Sequence, residues 1–355
     1  MLTGSPRPRW TISVLTIPQR TAFLSKLLES LGDAGLPRGA VIDIVYNWDN
    51  RERPHDVECR LRKVSGKLPI SVHFNTQRPT IGSGRAQQLT HCKSALIAFI
   101  DDDLTVHGDL FTVLEQQLRR VPLGIVGVQS LLEDSDQRFK PRRATPHVDA
   151  LGVRFMPVQG MLVAGYRRLF LDIGGFNPRR EFWGEWTELN LRMWRNGFPT
   201  GYMMNGAYLR HWEKAPESPT RNMDGREDHI LWGLMCTALE YDAIDAQETT
   251  ESFWSLVESR YLAYAFGPGA PSRDMLRSLL RLAPRLSGEY PAIARFRELV
   301  RKHPFPFMPF HRFSEQDVHD VVRHANTRIE MYRDDVWDTA PVRAARWVGR
   351  RLAFA

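Results

Sequence analysis

Ala95-Leu96-Ile97-Ala98-Phe99-Ile100-Asp101-Asp102-Asp103 is an apolar run that ends in three consecutive carboxylates. A short apolar run bounded by turn-forming residues predicts a strand buried on both faces, as in a parallel sheet. Such sheets take ligands outside the carboxyl ends of their strands, which is where the acids fall. Crowded like charges cost stability unless a cation sits among them, and hard divalent ions favour carboxylate oxygens. For the triplet alone, the plainer alternative is a solvated acidic turn capping the next helix. The sequence around it decides.

Upstream, strand-like and helix-like segments alternate. Thr11–Thr16 is β-branched and apolar, and Phe23, Leu24, Leu27, Leu28 and Leu31 follow at helical spacing until Gly32 and Gly35. Val41–Tyr46 predicts a second strand, running into Asn47-Trp48-Asp49-Asn50, and Ile70–Phe74 a third. The turn Gly82-Ser83-Gly84 then opens a helix carrying Leu89 and Cys92, ahead of the strand that ends at Asp101. This alternation predicts an α/β fold with a doubly wound, mostly parallel sheet flanked by helices.

Downstream, Leu110, Val113, Leu114 and Leu118 mark a helix, and Gly124–Leu132 reads as one strand before the polar loop Glu133–Arg143. Strands are expected at Leu151–Met156, Met161–Ala164 and Tyr202–Leu209, with helices at Arg167–Asp172 and Thr187–Trp194. Glu213–Arg226 is polar, with Pro216, Pro219 and Gly225, and reads as a linker or a lid. From Glu227 the pattern is helical, broken at Gly267-Pro268-Gly269 and at Pro304, Pro306 and Pro309. The expected division is therefore an α/β domain over 1–226 and a helical C-terminal extension over 227–355.

The 355 residues are 43% hydrophobic and 25% charged, ordinary for a chain that buries a core. No apolar run approaches the ~18 residues of a membrane span. Met1–Trp10 lacks the apolar core of an export signal. Cys59, Cys92 and Cys236 lie far apart, with no pair at metal-ligand spacing. These features lead us to expect a cytoplasmic protein with reduced thiols. The net charge of +7 is uneven, with 17 Lys+Arg against 12 Asp+Glu from Glu251 onward. Without zinc-ligand spacing, an aromatic RNA-binding signature or a long basic block, nucleic acid is not expected as a partner. Val342–Phe354 holds Arg343, Arg346, Arg350 and Arg351 and no acid, with Ala345, Val348 and Leu352 on one helical face. It reads either as an amphipathic helix on anionic membrane, making the protein membrane-peripheral, or as a terminal helix docked on its own domain.

Three blocks between Trp10 and Trp212 resemble family 2 of the GT-A glycosyltransferases, which use nucleotide-diphospho-sugars. Ile12-Ser13-Val14-Leu15-Thr16 through Pro18 and Arg20 is similar to the family's opening strand and nucleotide-contacting turn. Gly82-Ser83-Gly84-Arg85 through Asp101-Asp102-Asp103 resembles its glycine-plus-arginine helix start followed by the aspartate-any-aspartate (DXD) signature. Ile173-Gly174-Gly175-Phe176-Asn177, then Trp183-Gly184-Glu185-Trp186-Thr187-Glu188-Leu189-Asn190-Leu191-Arg192, is similar to its third block. On this resemblance 1–105 is the nucleotide-sugar half and 106–226 the acceptor half.

The resemblance implies Mn²⁺ or Mg²⁺ held by Asp103, with His211 completing the site, as neutral imidazole can; a lone histidine at a strand end reads equally as structural. It implies nucleotide-sugar contacts at Thr16, Pro18, Arg20, Asp49, Arg85, Asp101 and Asp102. Asp102 is the variable middle position and reads equally as solvent-facing; Asp49 reads equally as closing an Asx turn, with Asn50 its neighbouring alternative. The alternative reading of Arg85 is a salt bridge to a loop carboxylate, and His107 reads as a loop residue. The opening of the Gly82–Arg85 helix reads either as free N–H groups offered to an anion or as an ordinary turn.

The third block departs from the family. Where the family carries Glu-Asp, with the aspartate as general base, this chain has Glu185-Trp186. An indole cannot accept the proton, so either Glu185 or Glu188 supplies the carboxylate through a shifted register or the chain is catalytically weakened. A dipole-stabilised anion is expected at Glu185, at the helix start, whereas Glu188 has Arg192 one turn on as a structural partner. Trp183 and Trp186 read as an acceptor-stacking platform or as core aromatics.

The function so implied is an inverting, metal-dependent transfer of a sugar from a UDP-type donor to the hydroxyl of a carbohydrate, lipid-linked or small-molecule acceptor. Trp186 motivates the rival, a non-catalytic sugar- or nucleotide-binding protein. A nucleotidyltransferase is disfavoured because Thr16-Ile17-Pro18-Gln19-Arg20 contains no glycine.

Overall fold

The computed structural model describes residues 9–47, 53–76, 80–132, 147–158, 160–181, 184–204, 206–212, 226–240, 272–301 and 315–337. β1 (Trp10–Thr16) passes through a 3-10 turn (Pro18–Arg20) into α1 (Thr21–Asp33). Then come β2 (Val41–Asn47), α2 (Pro54–Ser65), β3 (Ile70–Asn75), α3 (Ile81–His91) and β4 (Leu96–Asp101). Leu96–Ile100 are all buried, as the apolar run requires. Leu24, Leu27, Leu28 and Leu31 form the buried stripe of α1. α2 buries Val57 and Leu61, one turn apart, and is opened by Pro54 at its first turn, where a missing N–H costs nothing.

β5 (Leu104–His107), α4 (Leu110–Arg120), β6 (Ile125–Gly127), β7 (Ser130–Leu132), β8 (Val148–Ala150) and β9 (Val153–Phe155) follow. After them come β10 (Leu162–Tyr166), α5 (Arg167–Asp172), α6 (Glu185–Arg195), β11 (Thr200–Met203) and β12 (Tyr208–His211). The central sheet has the order β3-β2-β1-β4-β10-β6-β11-β9-β8, with its first four strands parallel. β10 lies antiparallel between β4 and β6. Chain order moves outward from β1 to β3, then returns to the other side of β1 as β4. That reversal is a topological switch point, and its crevice lies beyond the carboxyl ends of β1 and β4.

Two expected strands each prove to be two. Gly124–Leu132 divides into β6 in the central sheet and β7 in a small sheet of order β5-β12-β7; Tyr202–Leu209 likewise divides into β11 and β12. A periodicity argument cannot see a strand change sheets. His107 ends a strand, its Nε2 lying 3.0 Å from the Thr105 hydroxyl.

Among the described C-terminal residues are α7 (Arg226–Glu240), α8 (Ser272–Arg301) and α9 (Glu315–Trp337). α9 buries Val318, Val321, Ala325, Ile329 and Tyr332 in the main core. α7 and α8 form a smaller core from Leu231, Trp232, Met235, Cys236, Leu282 and Ile293. The chain breaks expected at 267–269 and 304–309, and the arginine-rich segment 342–354, lie outside the described residues. No described helix is long and apolar enough to cross a membrane.

Candidate active site

The parallel register sets Leu15 of β1 beside Asp101 of β4, so Thr16 meets the acidic triplet. The Thr16 hydroxyl donates to Asp102 Oδ2 at 2.6 Å, and Arg20 Nε lies 3.0 Å from Asp102 Oδ1. Arg20 Nη2 pairs with Asp103 Oδ2. Asp102 is therefore no solvent-facing spacer: it is buried, and burial pushes its pKa up to about 7 against the pull of Arg20. Pro18 opens the turn that sets Arg20 in place.

β5 and β12 pair antiparallel, with His211 opposite Leu104, and the Trp212 N–H continues the ladder to the Asp103 carbonyl at 3.0 Å. His211 Nε2 thereby comes to 3.4 Å from Asp103 Oδ2. Burial opposes ionisation of Asp103, but His211 and Arg20 outweigh it and hold the pKa below the ordinary carboxylate range.

Asp101 is also held on both oxygens. Arg85 Nη2 pairs with Oδ1, and the Met161 N–H donates to Oδ2 at 2.9 Å. Met161 has a φ of +75°, a left-handed backbone that non-glycine residues rarely adopt and that clusters at functional sites. Arg85 is buried, also donates to Gln88 Oε1 at 3.1 Å, and lies with its guanidinium carbon 5.3 Å from the centre of the Trp186 ring. Arg85 thus makes its ion pair with the last residue of β4 rather than with a loop carboxylate.

The start of α3 corrects the anion reading. Its N–H groups are already used: Ile81 donates to the Glu181 carbonyl (2.7 Å), Gly82 to the Arg180 carbonyl (2.9 Å) and Gly84 to the Thr80 carbonyl (2.9 Å). The Ser83 N–H goes to Thr80 Oγ1 at 3.1 Å in a capping box. No anion is needed there, because the loop after Phe176 docks onto the helix and supplies the carbonyls. Asn75 Nδ2 ties the same turn to the strand ends, reaching Asn47 Oδ1 at 2.7 Å and the Ser83 hydroxyl at 3.0 Å.

Gly184, with φ +88°, turns the chain into α6 and leaves Glu185 as its first helical residue. Glu185 is buried, with Arg85 and Asp101 as charged neighbours. Burial raises its pKa to about 7, while Arg85 and its own backbone N–H pull the other way. The expected dipole-stabilised anion is thus overruled: desolvation outweighs the helix end, and the group titrates near neutrality. Such a carboxyl suits proton transfer better than a fully ionised one.

Glu188 is engaged differently. Arg192 Nε and Nη2 grip its two oxygens at 2.9 and 2.6 Å, and Arg192 Nη1 donates to the Ile173 carbonyl at 2.7 Å. With both residues buried, this is a bracket between α6 and the Gly174-Gly175 turn. Trp186 is corrected as well. It is 6% exposed, with Phe99 and Phe176 edge-on at centroid distances of 5.5 and 5.1 Å, so it is a core aromatic and no stacking platform. Asn190, one turn further, clamps the strand lead-in: Nδ2 donates to the Val158 carbonyl at 2.7 Å and Oδ1 accepts the Val158 N–H at 2.8 Å.

Sequence reasoning missed a buried network behind this loop. Glu240 at the end of α7 accepts from Asn177 Nδ2 at 3.1 Å and pairs with Arg179 at 3.2 Å and Arg180 at 2.5 Å. Arg180 and Glu240 are both fully buried. The adjacent arginines after Asn177-Pro178 were the available signal; their partner, 60 residues on, was not readable. Asp49 and Trp183 lie outside the described residues.

The switch-point sheet, the acids at the end of β4 and the mixed parallel and antiparallel second half make this a GT-A fold. No protein-family profile matches the sequence, and no curated protein matches it. Among solved structures the chain is similar to S. aureus TarS 1-349, with a TM-score of 0.55, 13% identity and 93% of each chain covered. The complex of that TarS fragment with UDP-GlcNAc matches at a TM-score of 0.54, with 13% identity and the same 93% coverage of each chain. A longer TarS structure matches at 0.54 with 13% identity, over 90% of this chain and 55% of that one.

Proposed function

We propose that the protein is an inverting, metal-dependent glycosyltransferase that moves a sugar from a nucleoside-diphosphate donor, UDP-linked, to an acceptor hydroxyl. The observation that carries the reading is Glu185: a buried carboxyl of pKa about 7, beside the Arg85–Asp101 pair at the ligand end of the sheet. The UDP-GlcNAc complex of TarS, a protein with the same fold, supports the choice of donor. In this reading residues 1–226 carry the reaction and 227–355 extend them.

Asp103 and His211 fit a hard divalent ion, Mn²⁺ or Mg²⁺. A carboxylate oxygen and an imidazole nitrogen 3.4 Å apart can share one coordination sphere. Among the described residues no group of three or more His, Cys, Asp or Glu side chains could hold a metal. Two protein ligands therefore suffice only if diphosphate and water supply the rest, as is usual for Mg²⁺. When bound, the cation would offset the charge that develops on the departing diphosphate.

The chain's own residues do the remainder. Thr16 and Arg20 shape the diphosphate side of the crevice, and Asp101, fixed by Arg85 and the Met161 N–H, faces the donor. Glu185 accepts the acceptor's hydroxyl proton as the new C–O bond forms and the bond to the diphosphate breaks. A single displacement of this kind inverts the anomeric centre. The rival reading, a protein that binds nucleotide sugar without turnover, makes Glu185 dispensable.

Turnover of UDP-sugars by wild type, Glu185→Gln and Asp103→Ala separates them. We expect Glu185→Gln to lower turnover by roughly a hundredfold or more with little change in UDP affinity. Asp103→Ala is expected to abolish the tightening of UDP by Mn²⁺. No turnover by the wild type with any nucleotide sugar would favour the binding protein.

A further inference from the structure

The cation that meets Asp102 and Asp103 in this structure belongs to the chain. Arg20 spans both carboxylates, with Nε 3.0 Å from Asp102 Oδ1 and Nη2 on Asp103 Oδ2. Its side chain is 16% exposed, and its pKa is raised by the three aspartates although burial alone would lower it. The Thr16 hydroxyl fixes the other Asp102 oxygen, and His211 shares Asp103 Oδ2. The same oxygen that would ligate a divalent ion is thus engaged by a guanidinium.

We propose that Arg20 is an internal counter-cation: it blocks the divalent-cation site at Asp103 until a diphosphate arrives, then moves from Asp103 to a diphosphate oxygen. This rests on the reading of Asp103 and His211 as metal ligands. A guanidinium and a divalent ion on one carboxylate oxygen repel each other. Arg20 against two carboxylates leaves at most one negative charge, so a dication added to that set gives excess positive charge. A diphosphate removes the excess and offers the planar guanidinium oxygens of matching geometry. Metal and nucleotide therefore bind with positive coupling, and linkage makes the coupling reciprocal. Without ligand, Arg20 keeps the crowded acids assembled.

The test is calorimetric titration of MnCl₂ into wild type, Arg20→Gln and Arg20→Lys, with and without UDP. Without UDP, Arg20→Gln should bind Mn²⁺ about tenfold more tightly than wild type. It should also bind UDP more weakly, and the factor by which UDP tightens Mn²⁺ should shrink. In EDTA this variant should melt below wild type, because the acids have lost their counter-cation. Equal Mn²⁺ affinity of wild type and Arg20→Gln without UDP overturns the proposal. Should Arg20→Gln fail to fold, Arg20→Lys decides: it keeps the charge but loses the two-point grip, so Mn²⁺ alone should bind at least about threefold more tightly than to wild type, and no gain overturns the proposal. Wild type that binds UDP but no Mn²⁺, with or without the nucleotide, removes the metal reading itself and this proposal with it. Mn²⁺ bound with UDP but indifferent to Arg20 removes only the proposal.

Discussion

Gly82 touches the backbone of Arg180: its N–H donates to the Arg180 carbonyl at 2.9 Å, and a Cβ on Gly82 would lie 2.3 Å from that same oxygen. The glycine of the second sequence block is thus required by the loop of the third, for close approach rather than for a ligand. Gly82→Ala should cost about 1–3 kcal/mol through the forced backbone shift, read from urea unfolding. UDP affinity should fall with it, since α3 carries Arg85.

Glu185 sets stability against pH. Its folded-state pKa of about 7 lies above the ordinary 4.5, so its contribution is fully present below about pH 4.5 and is lost as pH rises through 7. Glu185→Gln should therefore be more stable than wild type at pH 8, by up to about 3 kcal/mol, with the advantage shrinking toward pH 5. Melting curves at the two pH values check the sign. An advantage larger at pH 5 would contradict the burial argument.

Glu188→Gln should act on the fold. It leaves the Arg192 charge uncompensated at a buried site, which costs about 3 kcal/mol or more. Turnover per folded molecule, measured well below the melting temperature, should stay within a few-fold of wild type. A hundredfold loss there would make Glu188 the base in place of Glu185.

At the β8–β9 hairpin, Leu151 (φ +54°) and Gly152 (φ +74°) form a two-residue loop with both residues left-handed. Asparagine followed by glycine is the favoured pair for such a turn, and Leu151 is 61% exposed, so its side chain contributes little packing. Leu151→Asn should stabilise by about 0.5–1 kcal/mol, with no effect on ligand binding.

Strands β1 to β4 were legible because each is an apolar run between turn residues, and α5 because its bounds coincide with a short apolar pattern. β5 was not, and β12 was legible only as the tail of one strand with β11. The Leu104–His107 run follows the acids at once, and its partner lies about a hundred residues away. The residues of the site were likewise legible before their roles. Asp101–Asp103, Arg85 and Glu185 stand out by type and spacing. Their partners come from distant segments: Thr16 meets Asp102 across 86 residues and Arg85 meets Asp101 across 16. The pKa of Glu185 depends on burial, a tertiary property that helix position alone misjudged.

The buried contact between Arg180 and Glu240 has a consequence for synthesis. While the chain grows from its N-terminus, the sheet and the acidic triplet can assemble before α7 has emerged. Until then Arg180 has no Glu240 to meet, and burying its charge would be costly. The loop that caps α3 and leads toward Glu185 should therefore settle only after Glu240 leaves the ribosome. A nascent chain stalled before that point should fold its sheet yet stay inactive.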